Sequence, residues 1–205
     1  FDLLFYNGDI LFIYAVCGVL IIPLIRASNK VIIAVIILML LQPVELVYLI
    51  MGLIDPSTPI LDLGSAGCYN AILAAQSEGS ILDVARDGLV YGLPANFLWA
   101  IENGRMTQTI LFFLMGIMLG RWRLFYDEGD NLKIWKKVLI GSVIAFAVLL
   151  PIFLTVPKAV EIKCVSNSLN VALNMWKNLA MMMFIVSGTT LLYYKTSAKS
   201  WMMKI

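Results

Sequence analysis

Apolar residues collect in five runs along the 205-residue chain, at 10–25, 31–54, 106–120, 138–156 and 178–194. Charges punctuate them: Arg26 and Lys30 close the first run, Arg105 and Arg121 bound the third, and Lys177 and Lys195 bound the fifth. A helix crossing the hydrocarbon core of a bilayer needs about 20 mostly apolar residues, with a range of about 17–25. The pattern therefore predicts an all-α, polytopic transmembrane helix bundle of about five spans. The third run is short and calls for local thinning of the bilayer or burial in protein. The implied organisation is two spans in 1–54, an outward-facing loop in 55–105, and three spans with the C-terminal end in 106–205.

The long loop carries helical signals of its own. Residues 64–76 are rich in small side chains and read as a helix. Ser80-x-x-Asp83, ahead of Val84, Ala85, Leu89 and Val90, has the form of a capping box opening an amphipathic helix. Residues 93–101, with Trp99, read as a partly embedded segment leading into the third span. Two uses fit this interfacial helical loop: packing in the outer interface, or a lid over an outward cavity.

Composition identifies the solvent. Hydrophobic residues make up 61% of the chain and charged residues 14%, and mean hydropathy is +0.90. A soluble domain carries roughly 25% charged residues, so lipid must coat much of this surface and the bilayer is the first partner. A net charge of +2 gives no field to steer a polyanion, which excludes nucleic acid as a partner. Histidine is absent, so neither imidazole acid–base chemistry nor His-ligated metal is available within these residues.

Lys and Arg set the orientation. Arg26, Lys30, Arg121, Arg123, Lys133, Lys136, Lys137, Lys195, Lys199 and Lys204 fall on one side of a five-span topology, and Arg86, Arg105, Lys158, Lys163 and Lys177 on the other. The richer side is cytoplasmic by this rule, with the N-terminal end outside and the C-terminal end inside. The chain opens on Phe1-Asp2 with no basic leader segment, so the first run reads as a retained span. An odd number of spans without an initiating Met points to a piece of a longer protein, whose missing N- and C-terminal parts would be its partners.

Few residues carry chemistry. Glu45 follows Gln42 and Pro43 in the middle of the second run. A carboxyl group at membrane depth costs about 2.5–3.5 kcal/mol or more, so it should face the protein interior or a wet cavity. Pro43 cannot donate a helical hydrogen bond and frees a carbonyl near Met39, opening a kink where polar groups can gather. Glu45 is thus a site for a substrate, proton or ion, or a protonated helix–helix hydrogen bond. Asp9 stands at the start of the first run, where a helix N-cap is the simple reading. Arg121 and Arg123, with Lys133, Lys136 and Lys137, form the densest basic patch, suited to phosphates or to anchoring the topology. Cys68 and Cys164 share the outward side and are either a disulfide or two thiols, while Cys17 reads as packing.

Two segments carry a resemblance. Gly8-Asp9-Ile10-Leu11-Phe12-Ile13-Tyr14-Ala15 resembles the G-D-I-L-x-x-Y-A signature of bacterial YeiB-type membrane proteins, and Phe113-Leu114-Met115-Gly116-Ile117-Met118-Leu119-Gly120-Arg121 is similar to that family's L-x-G-x-x-L-G-R segment. The family's C-terminal portion is catalogued as a domain of unknown function. It is opened by a G-R-M-x-L-T-N-Y-like motif that does not occur here, which puts that region beyond Ile205. The resemblance implies an inner-membrane protein grouped with transmembrane acyltransferases, moving an acyl group from cytoplasmic acyl-CoA to an outer acceptor. It implies Arg121 and Arg123 as contacts for the donor's phosphates, and Asp9 with Tyr14 as pore-lining or structural motif residues. Such enzymes use a histidine, and this chain supplies none, so no catalytic residue is assigned. A solute or ion transporter working through Glu45, and a noncatalytic membrane subunit, remain the alternatives.

Overall fold

The computed structural model describes residues 10–126 and 129–195, and every regular element among them is helical. In chain order these are α1 (Ile10–Ile25), α2 (Asn29–Leu40), α3 (Pro43–Ile54), α4 (Ser65–Glu78) and α5 (Ile81–Asp87). A π-helical turn (Gly88–Gly92), α6 (Leu93–Glu102), α7 (Arg105–Arg121), α8 (Asn131–Ala159) and α9 (Lys163–Lys195) follow.

Three segments are long and apolar enough to cross a membrane: Asn29–Ile54, Asn131–Ala159 and Lys163–Tyr194. Little protein covers them. Only 6% of the apolar window of α8 is buried, and Ile54, on α3, is 79% exposed. Apolar surface on this scale cannot face water, and the molecule is an integral membrane protein. The first and third expected spans form as helices but, at 16 and 17 residues, are shorter than these three segments.

The helices pack in two groups. Ile21 of α1, Ile32 of α2, and Leu114 and Met118 of α7 form one buried cluster. Near the other end of α1, Ile13 and Cys17 bury against Ala100 of α6. In the second group α9 packs along α8 and also against α3. There the backbones come close, because a β-carbon at Gly52 would lie 3.0 Å from Val165 Cγ2 and 3.2 Å from Cys164 Cβ. Thus α2 leans on α7 and α3 leans on α9, and the short interruption between α2 and α3 transfers the chain from one group to the other.

The fifth expected span, α9, departs from expectation. It begins at Lys163, not near Asn178, and only Val160, Glu161 and Ile162 separate it from α8. The added turns mix polar and apolar residues, yet Cys164, Val165, Ser168, Val171 and Met175 recur at helical spacing and are all buried. A hydropathy average hides such a face, whereas packing against α3 rewards it.

The loop's helices form where the small-residue stretch and the capping box placed them. Ser80 Oγ accepts from Asp83 N at 3.3 Å, and Asp83 Oδ2 accepts from Ser80 N at 3.0 Å. Glu102 closes the loop from its far end: Oε1 accepts from Leu63 N at 2.6 Å and Ser65 N at 3.2 Å, and Oε2 accepts from Ser65 Oγ. The carboxylate at the end of α6 thereby caps the start of α4. Tyr69 Oη donates to the buried Asn96 Oδ1 at 2.9 Å, joining the same two helices. Burial, and then the nearby Glu102 charge, raise the pKa of the Tyr69 phenol.

Candidate functional site at the interrupted helix

The interruption follows from Pro43. Having no N–H, Pro43 is accepted at the first position of α3 but cannot continue α2. Gln42 between them takes the left-handed conformation, with φ 50° and ψ 71°, which is uncommon for a residue other than glycine. Two carbonyls of α2 find substitute donors. Met39 O accepts from Gln42 N at 3.1 Å, and Leu40 O accepts from Trp176 Nε1 of α9 at 3.0 Å.

Polar side chains gather at this break. Gln42 is 2% exposed and donates from Nε2 to Ala172 O at 3.1 Å, while its Oε1 is buried with no partner. Glu45, in the first turn of α3, is 5% exposed, and its Oε1 is likewise buried and unpartnered. An unsatisfied buried acceptor costs about 1–3 kcal/mol, so two within one turn of helix are a feature to be explained. Across from them lies the turn into α7. Gly104 there has φ +63°, and a β-carbon on it would stand 2.7 Å from Val171 Cγ1 and 3.9 Å from Glu45 Oε1.

Arg105 follows Gly104 but turns the other way. Its Nη1 donates to Gln108 Oε1 at 3.0 Å, and its guanidinium carbon stands 6.0 Å from the Trp99 ring centre. The side chain helps line a cavity of about 320 Å³ between α1, α6 and α7, together with Ile13, Tyr14, Trp99, Gln108, Thr109, Phe112 and Phe113. Trp99, on α6, brings the loop to the cavity wall.

The residues singled out from sequence separate into distinct places. Glu45 is at the break and Tyr14 is on the cavity wall, its ring centre 5.9 Å from that of Phe113. Asp9 lies outside the described residues. Arg121 and Arg123 are at the far end of α7, about 24 Å from Arg105 by helical rise. Arg121 donates to Ala27 O at 2.9 Å, Asn29 Oδ1 at 2.7 Å and Ile25 O at 2.7 Å, thereby fastening the turn between α1 and α2. Arg123 stands 4.8 Å over the Tyr126 ring. The disulfide alternative is overturned: all three cysteines are free thiols, and Cys164 Sγ donates to Tyr48 O at 3.3 Å, pressed against Gly52 by the close approach of α3 and α9.

Two polar features are not legible in the sequence. In sequence Arg105 is a boundary charge and Gln108 and Thr109 open a span, although their i, i+3, i+4 spacing sets them on one helix face. Lys177, taken as the edge of the fifth span, is near the middle of α9. Its ammonium donates to Asn174 Oδ1 at 2.9 Å and stands 4.2 Å over the Phe153 ring. A charged group that far inside a membrane helix, as Lys177 is, is a functional-site hypothesis by default.

Among the described residues, an all-α assembly with three segments long and apolar enough to cross a membrane, one of them broken at a buried polar pair, defines the class: an integral membrane protein. Residues 119–205 match the family described as protein of unknown function (DUF418), consistent with a YeiB-type C-terminal domain. That match corrects one expectation, since the catalogued C-terminal region is already present from Leu119 onward and does not begin beyond Ile205. No curated protein and no solved structure matches the chain.

Proposed function

We propose that this integral membrane protein of YeiB type binds a proton or small cation at Gln42 and Glu45, as part of moving a solute across the bilayer. The observation that carries the reading is the pair of buried oxygens, Gln42 Oε1 and Glu45 Oε1, left without partners at an interrupted helix. A helix broken at membrane depth supplies unpaired backbone and side-chain oxygens where a desolvated cation needs ligands. The break lies midway along the Asn29–Ile54 segment, which puts it near the middle of the membrane. The acyl-transfer reading has less support, because the Arg121 guanidinium is engaged by the turn between α1 and α2.

The test is modification by dicyclohexylcarbodiimide, a lipid-soluble reagent for protonated carboxyl groups, read by peptide mass spectrometry on the full-length protein in liposomes. Glu45 is expected to be modified, less so at higher pH or in the presence of a bound cation such as Na⁺, and Glu45→Gln to remove the adduct. A Glu45 that stays unmodified at every pH, in liposomes where a control membrane protein with a reactive carboxyl is labelled, would count against a proton site.

A further inference from the structure

The Glu45 reading leaves the cavity beside Arg105 unused. Among the described residues its one charged lining residue is Arg105, and no acidic side chain lines it. Guanidinium is always ionised and offers five N–H donors, of which one is directed to Gln108 Oε1. No ion pair joins Arg105 to an acid among the described residues. A full positive charge placed between apolar helices calls for a counter-charge, and the cavity is the space in which one fits.

The rest of the wall specifies the remainder of the ligand. Ile13, Phe112 and Phe113 are apolar, Tyr14 and Trp99 are amphipathic, and Thr109 adds a hydroxyl beside the arginine. A volume of about 320 Å³ is at the lower end of the roughly 300–1,000 Å³ typical of ligand pockets. It accommodates a headgroup and the first part of one chain, not a whole two-chain lipid.

We infer that this cavity is a binding site for an anionic amphiphile, an acyl chain whose carboxylate or phosphate head pairs with Arg105 while the chain lies against Ile13, Phe112 and Phe113. The site stands independently of the Glu45 proposal, since Glu45 is not on its wall. Trp99 provides a built-in reporter.

The experiment titrates the full-length protein in detergent with 2-bromodecanoate, whose bromine sits next to the head and so beside Trp99, and follows tryptophan fluorescence, since bromine quenches an indole it touches. Saturable quenching is expected, lost in Trp99→Phe and weakened about tenfold or more in Arg105→Gln, with Arg105→Lys retaining part of it. The matched 2-bromodecan-1-ol should quench only weakly. Decanoate and short-chain phosphatidic acid are the competitors, and whichever displaces the probe identifies the source of the head. Equal quenching by acid and alcohol, quenching untouched by Arg105→Gln in a protein that elutes as wild type, or displacement by inorganic phosphate as effective as by decanoate would each overturn the assignment. Should Arg105→Gln fail to fold, the acid-to-alcohol comparison on the wild type decides the matter alone.

Discussion

Trp176 on α9 donates its indole N–H to the carbonyl of Leu40 at 3.0 Å, satisfying an oxygen that the interruption before Pro43 deprives of its helical partner. This bond spans the two halves of the molecule at the level where a broken helix most needs a donor. Trp176→Phe keeps the ring and removes the donor, leaving Leu40 O unpaired. The expected cost is about 1–3 kcal/mol, read as a lower midpoint of thermal unfolding in detergent. An unchanged midpoint would show that lipid or water serves Leu40 equally well.

Gly104 is constrained twice, by φ +63° and by Val171 Cγ1 at 2.7 Å from where a β-carbon would stand. Gly104→Ala should therefore destabilise, the left-handed backbone alone costing an L-residue about 1–2 kcal/mol. Val171→Ala makes room, so the double variant should recover the steric part and keep the backbone part. A double-mutant cycle measures the coupling. Strict additivity of the two changes would mean that Val171 does not constrain the glycine.

Glu102 caps α4 through Leu63 N and Ser65 N, residues far from it in sequence. Glu102→Ala should cost about 1–2 kcal/mol, as loss of an N-cap does. The effect should be local. Hydrogen exchange of the first-turn amides of α4 should accelerate while α8 and α9 keep their protection. Acceleration spread evenly over the molecule would contradict a capping role.

What the sequence revealed and concealed divides along physical lines. Pro43 announced the break, since a missing N–H acts on its own helix whatever packs nearby. Ser80 and Asp83 announced a cap for the same reason, both partners lying within one turn. Glu102 capping α4 was hidden because nothing local connects it to Leu63. The first turns of α9 were hidden because Asn167, Asn170, Asn174 and Lys177 depress the hydropathy of a helix whose other face is buried. Arg121 was visible as a charge, but its bonds to Ile25, Ala27 and Asn29 depend on two helices returning to the same end of the bundle. Glu45 could be singled out from its depth alone, whereas its neighbour Gly104 could not, because that meeting is tertiary.

The reciprocal cap at the start of α5 makes a prediction about pH. The Ser80 hydroxyl, and then its backbone N–H, hold the Asp83 carboxyl below the usual carboxylate range, with burial opposing and Arg86 assisting. A carboxyl whose pKa is lower in the folded state than in the unfolded chain contributes stability above the unfolded value, near 4, and loses it as pH falls through the folded value. Protection of the α5 amides should hence be full at pH 6 and decline once pH drops below about 4. Asp83→Asn should fray α5 at pH 6 and abolish that dependence, because the amide has no proton to gain. Hydrogen exchange measured from pH 3 to pH 6 on both proteins checks this. A wild-type α5 whose opening equilibrium, corrected for the intrinsic exchange rate, stays constant across that range would show that the Asp83 charge adds nothing to the cap.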